Sequence, residues 1–221
     1  MSNIPVVSTT TVSRVRLSRQ ARMQQTLEAA HALFAERGYG TVTMDEVAAA
    51  VGVTKPLLYN YFGNKERLYQ ACMEPAGEAL VSAVMRALAQ TSTPQQALHA
   101  GIHAFFEFVD EDRSAWRVLF DETLPTEGAI AKRVGEYRSR LNQLVADAIL
   151  EQLPAGVGRR GRSEVQGLST AVMGAAEALA RWWLLTEELS AAQAADLLID
   201  TLQPGLRARV EQGNTHSGSR R

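Results

Sequence analysis

Lys55, Tyr59, Asn60, Tyr61 and Lys65 crowd into one short stretch of the chain. Ammonium and phenol groups bind phosphate oxygens without reading sequence. At base edges, Lys donates to guanine acceptors and Asn pairs with adenine. Pro56 and Leu57 lie among them and offer apolar surface for a thymine methyl. Thr43 and Thr54 add hydroxyls just ahead of the stretch. Thr43, Tyr59, Tyr61 and Lys65 are therefore expected to hold a nucleic-acid backbone, and Lys55 and Asn60 to reach bases.

Other constellations are weaker. His99 and His103 are four apart and share a helix face, a spacing that can hold a metal. No Glu follows His99 and no third ligand is evident from the sequence, so the expectation is no metal and no cofactor. A helical metal-binding protein built on this pair remains the rival reading. Gly156-Val157-Gly158-Arg159-Arg160-Gly161 fits Gly-x-Gly-x-x-Gly, but no strand precedes it, which argues against a nucleotide site. No Ser/His/Asp or Cys/His set assembles, and no enzyme is expected. His103, Trp116, Phe120 and Trp182 are candidates to line a small-molecule pocket in an aromatic-rich C-terminal part. Glu177 and Arg181, four apart, are either surface groups or polar anchors. Cys72, the single cysteine, permits no internal disulfide and reads as a small apolar residue.

The elements that must position the first set are legible. Thr43-Met44-Asp45-Glu46 is a capping box opening a short helix with Val47 and Val51 inward. Gly52 supplies the turn and Val53 plugs it. Thr54 can cap a second short helix with Pro56 in its first turn. Leu58 and Phe62 recur at i, i+4 and face inward, leaving the polar and aromatic residues outside. Gly63-Asn64 breaks this helix and starts a long one. Two short helices joined by a Gly turn are the grammar of a helix-turn-helix, whose second helix enters the DNA major groove.

On Thr43, Val47, Ala48, Gly52, Val53, Thr54, Leu58, Tyr59, Phe62, Lys65, Glu66 and Leu68 the segment resembles the DNA-binding domain of the tetracycline-repressor (TetR) family of bacterial regulators. It departs from the family pattern at Val51 (Ala is usual), Pro56 (Gly is common) and Tyr61 (His is common). The resemblance implies a repressor on a palindromic double-stranded DNA operator, released by a small-molecule inducer. It also implies a homodimer. Helices near 164–187 and 190–203 are the expected interface, since Gly167, Ala171, Gly174, Ala175 and Ala178 permit close helix approach. A ligand-independent DNA-binding dimer is the alternative.

The rest reads as helices throughout, so the fold class is all-α. The expected organisation is a disordered arm at 1–18, a helix-turn-helix domain at 19–68, a regulatory and dimerisation domain at 69–210 and a disordered tail at 211–221. Arg14, Arg16, Arg19 and Arg22 could take the arm into a minor groove. Helix 1 is expected over 19–37, ended by Gly38 and Gly40, and a helix from Lys65 to about Ala89 with a possible kink at Pro75. Further helices are expected near 94–111, 113–122, 127–153, 164–187 and 190–203, with a flexible basic loop at 154–163. Residues 1–70 carry 8 Lys/Arg against 5 Asp/Glu, and the remainder 15 against 19. A basic head on an acidic body suits a DNA reader with a separate sensor. No apolar run approaches the ~18 residues that span a bilayer, no secretory core opens the chain, and a cytoplasmic location is expected.

Overall fold

A computed structural model describes residues 18–152, 159–186 and 188–218. Within them all regular structure is helical: α1 Arg19–Thr41, α2 Met44–Val51, α3 Lys55–Phe62, α4 Lys65–Ala89, α5 Pro94–Glu111, α6 Arg113–Leu119, α7 Gly128–Leu150, α8 Arg159–Thr186 and α9 Ala191–Gly218. The fold is all-α. Arg14 and Arg16 of the expected arm, and residues 156–158 of the Gly-rich run, lie outside the described residues.

Local chemistry accounts for most boundaries. Ser18 caps α1, its hydroxyl accepting from the Ala21 N–H. Asn64 caps α4, accepting from Arg67 N–H at 2.8 Å. Thr93 caps α5 and Asp112 caps α6. Ser190 and Gln193 close a reciprocal capping box at α9, as their spacing predicts.

Several boundaries differ from expectation; α6 stops at Leu119 rather than near 122, and α7 at Leu150 rather than near 153. Helix 1 does not stop at Gly38. The chain makes one non-helical step there, φ 78°, and resumes helix to Thr41. Arg159–Ser163 are helical rather than loop, and Ser163 sits inside α8 instead of capping it. Arginine is a good helix former, so the helix extends back past the predicted cap. The predicted tail from 211 is helical to Gly218, because α9 runs on through Pro204. The other interior proline, Pro75, is carried within an unbroken α4.

One continuous apolar core runs from head to body. Ala30 and Phe34 of α1, Val47 of α2 and Leu58 and Phe62 of α3 meet Leu68, Tyr69 and Met73 of α4. The same core continues into Phe105, Phe106 and Val109 of α5, Trp116 and Val118 of α6 and Trp183 of α8. Cys72 is buried in it, its thiol donating to Leu27 C=O at 3.6 Å. Burial pushes that thiol up to about 12, which makes it an inert packing group. Along α8, by contrast, Gly167, Ala171, Gly174 and Ala178 are exposed, ending in Trp182 at 44% and Leu185 at 82% exposure.

α4 and α7 approach closely at Gly77. A Cβ built on Gly77 would fall 2.5 Å from ring carbons of the buried Tyr137. Gly77→Ala is therefore expected to destabilise the protein by about 1–3 kcal/mol despite its better helix propensity. A lowered thermal midpoint by circular dichroism is the check; an unchanged or raised midpoint would show that the ring simply moves.

Candidate nucleic-acid interface

α2 and α3 are each eight residues long, too short to persist alone, and are held by their junctions. Thr43 N–H and O–H both donate to Glu46 Oε2 at 2.8 Å, and Glu46 N–H returns a bond to Thr43 Oγ1. Arg37 of α1 adds an ion pair to Glu46 at 2.8 Å. The Thr43 hydroxyl, then its backbone N–H, then Arg37 hold the Glu46 carboxyl down at about 2. Thr43 thus has both donors committed to the box, which orients α2.

Gly52 ends α2 at φ 65°, ψ 34°. Nothing lies within 4 Å of a Cβ there. The glycine serves the left-handed backbone, not a close approach. Val53 N–H then donates to Ala48 C=O, which fixes the angle at which α3 departs. Leu58 and Phe62 anchor α3 from beneath.

Above them, Thr54, Lys55, Pro56, Tyr59 and Asn60 are exposed, and Leu57 and Tyr61 are half-buried. The predicted outer face is therefore present as a face. Thr54 occupies the cap position of α3, but its hydroxyl makes no capping bond. Lys55 Nζ pairs with Asp45 at 2.9 Å, so α2 steers it. Tyr61 receives the Arg19 guanidinium 5.6 Å over its ring, which seats the start of α1 beside α3. Lys65 is drawn inward, its ammonium 4.3 Å over the Tyr39 ring, and burial lowers its pKa.

Behind the face lies a junction that sequence reasoning missed. The α6–α7 loop reaches the break in α1: Tyr39 N–H donates to Asp121 Oδ2, and Gly40 N–H to Thr123 Oγ1 at 2.9 Å. A Cβ on Gly38 would meet Thr123 Oγ1 at 3.0 Å. Gly38 is thus required twice, by its φ and by this approach. At the start of α4, Glu66 accepts from the Ala129 N–H of α7 at 3.1 Å. The only local signal was the Asp-x-Thr turn itself, in which Thr123 N–H donates to Asp121 Oδ1.

In the body, α4, α5, α7 and α8 enclose an apolar cavity lined by Val84, Leu88, Ile102, Phe105, Leu141 and Met173, among others. No charged side chain lines it. Its free volume is about 30 Å³, well below the roughly 150 Å³ of a cavity that takes up benzene. Sharing Leu88 and Ala148, a wider recess of about 370 Å³ opens toward Thr91, Ser92, Thr93, Asp147 and Glu151. The four residues expected to line a pocket do not line this one. His103 points at Asp196 of α9, and Trp182 is exposed on α8. Trp116 stacks on Phe120 at 4.0 Å and meets Phe105, a cavity-wall residue, at 5.6 Å. Helical phase explains this: on α5, Leu98, Ile102 and Phe105 face the cavity, and His99 and His103 fall on the next face. Glu177 and Arg181 bind across helices, to Arg138 and Glu122.

Residues 27–72 match the model of the bacterial regulatory proteins, tetR family, and residues 94–204 match the tetracyclin repressor-like C-terminal domain. The chain is 38% identical over 134 residues to the HTH-type transcriptional activator FasR of Mycolicibacterium smegmatis, a match covering 61% of either protein. It thus spans less than two thirds of that relative. A TetR-like transcriptional regulator from Rhodococcus sp. RHA1 superposes with a TM-score of 0.71 at 31% identity, over 87% of this chain and 99% of that one. AibR, solved with isovaleryl coenzyme A and operator DNA, shares the fold at a TM-score of 0.64 and 22% identity, over 80% and 96% of the two chains.

The capping box carries a pH signature. The Glu46 carboxyl lies below its ordinary 4.5, so its contribution is full above that pH and fades as pH falls toward about 2. Glu46→Gln should therefore lower the thermal midpoint at neutral pH, with the difference from the parent shrinking as pH approaches 2. A difference that stays constant across that range would rule out the charged box as the cause.

Proposed function

The chain belongs to the tetR family of bacterial regulatory proteins and is a transcription regulator, and from that premise we propose a homodimeric reader of a palindromic operator whose DNA affinity is set by a ligand in the body. The observation that carries it is the outer face of α3: polar and aromatic side chains stand in solvent on a short helix anchored from below by Leu58 and Phe62. In the major groove, Asn60 and Lys55 reach base edges, Pro56 or Leu57 meets a thymine methyl, and Tyr59, Tyr61 and Thr54 hold phosphates. Lys65 adds charge at the rim from its seat on Tyr39. Arg19, seated over Tyr61, adds a second cation beside α3.

A palindrome needs two heads, and the exposed stripe of α8 from Gly167 to Leu185, with α9 beside it, suits a four-helix dimer interface. The cavity calls for a ligand with a hydrocarbon part, and the recess beside it for a polar head. AibR's complex with isovaleryl coenzyme A makes acyl thioesters natural probes. Because the cavity is nearly filled, an occupant must spread α4 and α5, which is how binding would reach the heads. Repression relieved by the ligand is the first reading. FasR's designation as an activator favours activation as the second, and operator position relative to the promoter decides between them.

Selection from random duplexes at near-physiological salt should return a palindrome. Asn60→Ala is expected to lose about 1–3 kcal/mol of discrimination at one position of each half-site, and Lys55→Ala to weaken binding. Sequence-independent binding alone, steep in salt, would refute the operator reading. Gly101→Val should over-fill the cavity, since a Cβ there already lies 3.3 Å from Leu88. The expected result is operator affinity kept and ligand response abolished. A response equal to the parent's would place the ligand elsewhere.

A further inference from the structure

Outside the cavity and the DNA face, one cluster of metal-competent side chains joins two helices. His99 and His103 stack on the outer face of α5, ring centroids 4.4 Å apart and planes 23° apart. Both Nε2 atoms face the same Asp196 oxygen of α9: Oδ1 is 2.9 Å from His103 and 4.0 Å from His99. All three ligand atoms lie within 4.8 Å of one another.

We propose that His99, His103 and Asp196 form a site for a divalent transition-metal ion that ties α5 to α9. Donors bound at about 2.0–2.2 Å in tetrahedral geometry stand roughly 3.4 Å from each other. The two imidazole–carboxylate separations, 2.9 and 4.0 Å, bracket that value, and the widest separation in the set, within 4.8 Å, closes by a small turn of the exposed His99 ring. Two imidazoles and one carboxylate suit zinc, nickel or copper, whereas magnesium and calcium demand oxygen donors. His99 and Asp196 are more than half exposed and His103 about one fifth. The ion would therefore enter freely and keep open positions for water. Regular helix supplies the first pair, since i, i+4 residues share a face. The third ligand comes from 93 residues further on, which is why the sequence alone offers no site.

Placement gives the ion a consequence. Leu98, Ile102 and Phe105 of α5 wall the cavity, and the histidines hold the neighbouring face of the same helix. A metal bridge to α9 would pin the wall that an occupant must push.

The test uses the untagged full-length chain. Dialysed against zinc, it should retain one ion per chain by elemental analysis, while magnesium should not bind. Cobalt(II) should develop visible ligand-field bands. Asp196→Asn keeps a hydrogen-bonding partner for His103 but removes the anionic ligand, and His99→Gln leaves the His103–Asp196 pair intact. Each should retain the parent's apo thermal midpoint. Each should also weaken zinc binding by more than the roughly 10–100-fold that outer-shell partners are worth. Substoichiometric zinc in the parent, or zinc affinity unchanged in both variants, would overturn the site and leave a simple His103–Asp196 ion pair. Neither result bears on operator binding, so the DNA reading stands or falls separately.

Discussion

Tyr69 is where head, connecting helix and body meet. It is fully buried, and its hydroxyl donates to Val118 C=O of α6 at 2.6 Å. Its ring meets Phe34 of α1 edge-on at 4.8 Å and Tyr39 at 5.0 Å. Lys65 closes the far side of Tyr39. A buried aromatic ring brings about 1.5–3 kcal/mol of hydrophobic stabilisation, and a buried phenol without its partner would forfeit roughly 1–3 kcal/mol. No rearrangement of the head against the body is therefore free: it must either carry Tyr69 with it or break that bond. The head is consequently less a bead on a string than an outgrowth of one core.

Two lines of contact lead from the cavity to this junction. One is α4, whose Val84 and Leu88 wall the cavity and whose Lys65 and Glu66 lie directly behind α3. The other is aromatic. Phe105 on the cavity wall meets Trp116, Trp116 stacks on Phe120, and the next residue, Asp121, grips the α1 break at Tyr39. Both lines start at the wall of a cavity with little free volume, and a packed wall cannot absorb an occupant without moving.

Legibility in the sequence followed distance along the chain. The capping boxes at Thr43 and Ser190, the Gly52 turn and the inward Leu58–Phe62 pair each depend on residues within a few positions, and all were readable. Contacts that depend on how one helix lies over another were not. Asp121 reaching Tyr39, and His103 reaching Asp196, join residues 82 and 93 apart. Aromatic richness located the body's core, in which Phe105, Phe106, Phe108, Trp116, Tyr137 and Trp183 are buried. Residue type makes Trp182 and His103 pocket candidates, but helical phase turns His103 toward Asp196 and leaves Trp182 exposed. The ends of α8 and α9 failed for a related reason: good helix formers carried both helices past the punctuation that Ser163 and Pro204 suggest.

The length of α4 decides how small a movement at the cavity can matter. Twenty-five residues of helix span about 37 Å. A tilt of roughly 5° at the cavity end would then displace the head end by about 3 Å. In the proposed dimer the two heads must sit in successive major grooves about 34 Å apart, and symmetry moves both at once, so the mismatch doubles. Direct base contacts lapse once donors and acceptors separate by more than a few tenths of an ångström beyond hydrogen-bond range. In the proposed mechanism a ligand needs only to favour one tilt over another by a few kcal/mol to change operator occupancy by orders of magnitude. That economy depends on α4 behaving as one piece. Its unbroken course through Pro75, with Gly77 wedged against Tyr137, keeps it so.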